Sequence, residues 1–251
     1  LYQFPLGLVV TALSIATLPT LSRQAAGDLS VFKQTLGDGL RLVLALILPA
    51  TAGLFALAPF IIGLLFEHGR FTATDTATTA LVLRVYLIGM PFAAADQMLV
   101  FASYARKDTW RPALVGFIAI LIYSLTAVAL LGTLGLLSLM VADAVKHVVH
   151  TLIMLWLLRR QLGGLAGNPV MRSAVKSLAA AMVTGAAAFA VAQLISELGP
   201  AFSRSYLLPV LAGGVAGLLA YTVSVFAFNI KETRALPGLL RRRNTSENSG
   251  E

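Results

Sequence analysis

Seven apolar stretches follow one another along this chain. They run approximately over Phe4–Leu21, Leu40–Phe66, Thr79–Phe101, Pro112–Leu131, Leu134–Leu158, Ser173–Ile195 and Leu207–Ile230. A helix of about 17–25 apolar residues crosses a hydrocarbon core of roughly 30 Å, and each stretch meets that length. A soluble fold has no place for them. Of the 251 residues, 58% are hydrophobic and 12% charged, against about 45–50% and about 25% in ordinary soluble domains. The runs are continuous rather than alternating, which speaks against barrel strands. The expected fold is an all-α membrane protein of about seven transmembrane helices. Pro49 and Pro59 in the second run, and Pro91 in the third, are places where a helix loses a backbone donor and bends.

The charge is +8, from 19 Lys and Arg against 11 Asp and Glu. On a soluble protein that excess would suggest nucleic acid. Here no basic stripe interleaves with exposed aromatics, so no nucleic-acid partner is expected. The basic residues instead fall between the apolar runs, and they alternate. Arg23, Lys33 and Arg41 lie around the first connection, and Arg70 with Glu67 and Asp75 in the second. Arg106, Lys107 and Arg111 mark the third, and the turn near Gly132 has none. Arg159, Arg160, Arg172 and Lys176 flank the fifth, Arg204 alone the sixth, and Lys231, Arg234 and Arg241–Arg243 the tail. The positive-inside rule places the rich loops in the cytoplasm. It puts the N-terminus outside, the C-terminus inside, and an odd number of further spans upstream. The opening at Leu1 within an apolar run fits a chain cut from something longer, and the run lacks the basic start of a signal peptide. Ser22–Gly39 is long enough for a short surface helix, and the polar last fifteen or so residues read as disordered. The absence of cysteine removes disulfides and thiolate chemistry.

Ionisable groups inside spans are rare and costly, roughly 2.5–3.5 kcal/mol for an Asp or Lys at mid-bilayer. The fifth run holds four: Asp143, Lys146, His147 and His150. Their i, i+3, i+4, i+7 spacing gives them one helix face, which should meet the bundle interior or a wet cavity. The stripe is either an intrahelical pair that locks packing or the lining of a substrate or proton path. His147 and His150 would then titrate near neutral pH. As a metal pair they lack a carboxylate in any familiar zinc spacing. Asp96 in the third run is the other interior charge, either half of a structural pair with another helix or a coupling-ion carboxylate. Gln97 is placed to bond it, and Arg84 lies about three turns earlier on a similar face, either an interface anchor or a pathway residue. No P-loop, GxSxG or dinucleotide fingerprint is present, so no enzyme and no cofactor are expected. The sixth and seventh runs are rich in small residues, with Gly213 and Gly217 spaced for close helix contact.

Three segments carry a resemblance: LYQFPLGLVVTALSIATLPTLSR (Leu1–Arg23), LLFEHGRFTATDTATTALVLRVY (Leu64–Tyr86) and SYARKDTWRP (Ser103–Pro112). In that order they resemble the motifs of the MurJ/MviN lipid II flippases. GLLSLMVADAVKHVVHTLIMLWLLRRQ (Gly135–Gln161) agrees with that family's helix pattern. The resemblance implies a fourteen-helix exporter fold, of which this chain would be helices eight to fourteen. Residues 1–161 would form the C-terminal lobe, 162–231 two additional helices bounding a lipid-tail groove, and 232–251 a cytoplasmic tail. It implies flipping of the undecaprenyl-pyrophosphate-linked peptidoglycan precursor across a bacterial plasma membrane by alternating access. Membrane lipids and other cell-wall synthesis proteins would be its partners. The family's substrate-handling arginines fall outside this chain, and Asp96, Asp143, Lys146 and His147 depart from its mostly uncharged residues at those places. Export of another polyprenyl-linked oligosaccharide or a drug, or a non-transporting envelope scaffold, are the competing functions.

Overall fold

The structure is a computed structural model that describes residues 1–164, 169–198 and 206–230. The expectations for Arg204 and for the tail beyond Ile230 lie outside the described residues. Among those described, seven helices are long and apolar enough to span a membrane: α1 (Gln3–Ala26), α2 (Leu29–Phe66), α3 (Ala73–Ala105), α4 (Trp110–Leu134), α5 (Leu137–Leu162), α6 (Val170–Glu197) and α7 (Leu207–Ala227). Every apolar run of the sequence became one of them. α1 widens into a π-helical turn over Leu6–Thr11.

One boundary differs from the sequence reading in kind. Ser22–Gly39 does not form a separate surface helix. Residues to Ala26 extend α1, the chain turns at Gly27, and α2 starts at Leu29 as one 38-residue helix. At about 1.5 Å per residue α2 is about 57 Å long, so its first turns project beyond the hydrocarbon. Asp28 caps it, accepting from the Ser30 and Val31 amides. Lys33, Gln34 and Asp38 lower the local hydropathy without breaking the helix, and Phe32 and Leu36 on the same segment are fully buried. They pack with Leu21, Ala102, Ala105, Leu158 and Leu162. That cluster gathers the end of α1, the start of α2 and the ends of α3 and α5 at one end of the bundle. The connections richest in Lys and Arg flank it.

Two of the recognised motifs turn out to be capping devices. Thr72 and Asp75 form a reciprocal box at the start of α3: the Thr72 amide donates to Asp75 Oδ2 at 2.8 Å, and Thr72 Oγ1 accepts from the Asp75 amide. Asp108 accepts from the Arg111 amide at 3.2 Å and from its guanidinium at 2.9 Å at the start of α4. Both satisfy helix-terminal donors that would otherwise be orphaned at the membrane surface. α5 closes on Gly163 at φ +66, a left-handed cap that glycine adopts without strain.

The helices contact one another in the order α4, α5, α3, α2, α6, α7, with α1 lying against α2 and α3 and α7 also touching α2. α2 runs without interruption through its two prolines. A proline at i+4 removes the amide that would serve carbonyl i, so Pro49 deprives Ala45 and Pro59 deprives Phe55. Both carbonyls receive a side-chain donor from a neighbouring helix. The Tyr221 hydroxyl of α7 donates to Ala45 O at 2.7 Å, and Arg84 Nε of α3 donates to Phe55 O at 3.0 Å. In a hydrocarbon solvent an unserved carbonyl is costly, and neighbouring helices are the available remedy.

Candidate functional site

α3 and α5 approach closely where Gly89 meets Ala144. A Cβ on Gly89 would stand 3.0 Å from the Ala144 Cα, so glycine lets the two backbones come this close without pushing Ala144 aside. It lies beside Asp143, and it brings the polar stripe of α5 against α3.

On that stripe Asp143 is shared. Lys146 Nζ donates to Asp143 Oδ1 at 2.5 Å, and His147 Nε2 lies 3.6 Å from Oδ2. Lys146 also sits over the Tyr123 ring of α4, 5.7 Å from its centroid. His150, one turn further along, leaves its own helix for a partner. Its Nδ1 is 2.6 Å from Asp96 Oδ1 on α3. Thr151 beside it bridges the same two helices, donating to Phe92 O of α3 and to His147 O, both at 2.8 Å.

His150 stands thirteen residues into the 26-residue α5, about 20 Å from its start, and therefore at mid-span. The His150 and Asp96 side chains are 13% and 15% exposed. The other three side chains of the cluster, Asp143, His147 and Lys146, are 16%, 23% and 27% exposed. Pairing within α5 and across to α3 offsets part of the cost of placing charge at this depth.

Arg84 and Gln97, grouped with Asp96 in the sequence reading, do not join this cluster. Gln97 Nε2 bonds Thr11 Oγ1 of α1 at 3.0 Å rather than Asp96. Arg84 stacks on the Phe55 ring, 5.3 Å from its centroid, while serving the Phe55 carbonyl. Three tyrosines surround the Asp143 end of the stripe. Tyr2 and Tyr86 have ring centroids 5.7 Å apart, and both lie close enough to Asp143 to feel its charge. Tyr123 completes the set. Tyr2 immediately precedes α1, Tyr86 is on α3 and Tyr123 on α4, and no spacing within a single helix could have assembled them.

At the opposite end of the bundle from the basic connections, Glu67 Oε2 accepts from Thr76 at 2.5 Å and from the Tyr206 hydroxyl at 2.8 Å. The Tyr206 ring rests on Gly63, where a Cβ would collide with it at 2.6 Å. Burial and then the Glu67 carboxylate push the Tyr206 phenol above its ordinary range. This contact ties the start of α7 to the α2–α3 turn.

A bundle of seven membrane-length helices, with a cluster of ionisable groups at a helix junction, defines a multi-pass α-helical membrane protein. The match is closer than that class. A family model described as Lipid II flippase MurJ covers residues 1–213, and the chain belongs to this family. A probable lipid II flippase MurJ of Bdellovibrio bacteriovorus is 30% identical over 177 residues, which is 70% of this chain and 34% of that protein. One from Thermotoga maritima is 37% identical over 152 residues, 59% of this chain and 30% of that protein. A solved structure titled "Lipid II flippase MurJ, inward closed conformation" superposes with a TM-score of 0.63 at 24% identity, over 90% of this chain and 45% of that one. The chain thus spans about a third of the length of these curated relatives.

Proposed function

We propose that this chain forms part of a transporter that flips undecaprenyl-pyrophosphate-linked peptidoglycan precursor, lipid II, from the inner to the outer leaflet of a bacterial plasma membrane. The observation that carries this reading is family membership over residues 1–213, joined to relatives whose names state the same activity. The chain supplies a C-terminal lobe over residues 1–161 and two further helices over 162–231, which offer a groove to a lipid tail. The connections rich in Lys and Arg face the cytoplasm, which sets the N-terminus outside and the C-terminus inside. The α3–α5 cluster serves the moving lobe as its interior polar site, rocking between the two faces with the substrate. Other cell-wall synthesis proteins would meet it at the membrane.

Complementation tests the reading. The full-length protein containing this chain is expressed in a bacterium depleted of its own lipid II flippase, and growth and lipid II exposure on the outer leaflet are measured. Rescue of both is expected. Normal membrane insertion with no rescue would overturn the assignment. Leucine at both Asp143 and Lys146 in the rescuing protein is expected to abolish flipping; full activity would reduce the stripe to packing.

A further inference from the structure

The Asp96–His150 contact fixes more than a helix crossing. An aspartate oxygen 2.6 Å from Nδ1 requires a hydrogen between them, because two lone pairs at that distance repel. With Asp96 ionised, that hydrogen belongs to Nδ1, and the neutral ring must then present a bare lone pair at Nε2. Nε2 has no hydrogen-bond partner among the described residues. It faces α4 at Gly116, where even an added Cβ would stand 3.9 Å away. The His150 side chain is 13% exposed, so this lone pair is reachable.

Charge points the same way. From α3 the junction receives Asp96 and Tyr86, from α4 Tyr123, from just before α1 Tyr2, and from α5 itself Asp143, Lys146 and His147. Lys146, Asp143, Asp96 and His150 are the ionisable groups near enough to act on His147. With both histidines and all three tyrosines neutral, two carboxylates face one ammonium. The junction is then one unit negative at mid-bilayer, where uncompensated charge is least tolerated. One added proton brings it to zero.

We propose that Nε2 of His150 is a proton-binding site of unit stoichiometry, built by Asp96. Asp96 holds the ring in the Nδ1–H tautomer and stabilises the imidazolium once Nε2 is protonated. One proton from the hydrated interior adds to the Nε2 lone pair without breaking any other bond, and it leaves by the same atom. Among the described residues no three His, Asp or Glu side chains converge to hold a metal ion; the sodium competition below tests a cation held by other oxygens. The use of this proton in transport rests on the flippase reading; its binding does not.

The test separates the two. Full-length protein with 15N-labelled histidine is reconstituted in lipid nanodiscs, and ring nitrogen shifts are followed from pH 5 to 9. This chain has three histidines, His68, His147 and His150, which single substitutions assign. At the alkaline end His150 is expected as the Nδ1–H tautomer, the less common form in water. It should take one proton at Nε2 as the pH falls. In Asp96→Asn the signal should revert to the Nε2–H tautomer and titrate at least tenfold more weakly in proton affinity. Three results would each overturn the proposal: a His150 ring that stays in one form over the whole range, a titration unchanged by Asp96→Asn, or displacement of the bound proton by sodium at constant pH. His147→Gln provides a folded control in which the His150 titration persists. If His150 titrates as described while complementation fails, the site stands and the flippase reading falls; the reverse pattern removes the site alone.

Discussion

Replacing Tyr221 with Phe removes one oxygen from α7 and leaves its ring. That oxygen donates to Ala45 O at 2.7 Å, and the usual donor to this carbonyl is missing because residue 49 is proline. Ala45 is 0% exposed, so water cannot take the place of the lost hydroxyl. Leaving a buried acceptor unpaired costs about 1–3 kcal/mol in soluble proteins. Interhelical side-chain bonds in membranes average about 0.6 kcal/mol and reach about 1.7, because separated helices usually find other partners. α2 carries Pro49 whether or not α7 is docked, so its Ala45 carbonyl has no such alternative. The expected loss for Tyr221→Phe is therefore near the top of the membrane range, about 1.5 kcal/mol.

The measurement is reversible unfolding of the full-length protein in mixed detergent micelles, run as a double-mutant cycle with Pro49→Ala. Alanine returns the missing amide to the helix. Tyr221→Phe on that background should then cost less than about 0.5 kcal/mol, giving a coupling of about 1 kcal/mol. Thr222→Val is the control, since Thr222 Oγ1 bonds Leu218 O within its own helix and is exposed. It should be nearly silent. If Tyr221→Phe costs the same with alanine at 49 as with proline, the account of the freed carbonyl is wrong.

The equivalent clip on α3 gives a parallel result. Arg84→Leu should destabilise the bundle by about 1 kcal/mol in the same assay, and Pro59→Ala should remove most of that loss. Glycine positions predict a contrast within one helix. A Cβ on Gly213 would lie 2.7 Å from Ala188 O and 2.8 Å from Leu57 Cδ2, so Gly213→Ala should cost about 1–3 kcal/mol by overpacking. Gly214 has open space, and Gly214→Ala should be neutral or favourable by up to about 1 kcal/mol. The start of α2 should respond to acid. The Ser30 hydroxyl and the Ser30 and Val31 amides hold the Asp28 carboxyl below its ordinary range. Its cap therefore contributes fully above the ordinary aspartate range and is lost as pH falls through the lowered value. Protection factors of the amides from Ser30 to Leu36, corrected for intrinsic exchange, should fall on acidification in the native protein and show no such step in Asp28→Asn; identical profiles would contradict the assignment.

Hydropathy made the spans legible because lipid demands long apolar runs, and every run became a helix. It failed at Ser22–Gly39 for a physical reason. Hydropathy reports solvent, whereas helix continuity depends on breakers and caps; no proline stands between Leu29 and Leu40, and Gly37 and Gly39 are buried by packing against neighbouring helices. The α5 stripe was equally legible, since i, i+3, i+4, i+7 spacing alone puts Asp143, Lys146, His147 and His150 together. What they touch was not. Asp96 could have bonded its neighbour Gln97; instead the Gly89–Ala144 crossing sets the register of α3 on α5 and gives it His150. The three tyrosines lie in three separate segments, so no periodicity in one of them could have signalled the cluster. Tyr221 and Arg84 left a fainter trace: each proline within a span announces an orphaned carbonyl four residues earlier, though not the donor that serves it.

These contacts make α3 the element on which the bundle's polar bonds converge. Arg84 ties it to α2, Gln97 to α1, and Asp96 to α5. Each bond crosses a helix pair that apolar packing alone would leave free to slide, since lipid solvates a leucine as well as another helix does. The Arg84 and Gln97 bonds do not depend on pH near neutrality. The Asp96–His150 bond strengthens when His150 is charged and weakens when it is neutral. Within this junction, protonation should therefore alter the grip of α3 on α5 while leaving its grip on α1 and α2 unchanged. Cross-linking between cysteines introduced on α3 and α5 should vary in yield with pH, and cross-linking between α3 and α2 should not. Equal pH dependence of both would show that the junction responds as a whole rather than through His150.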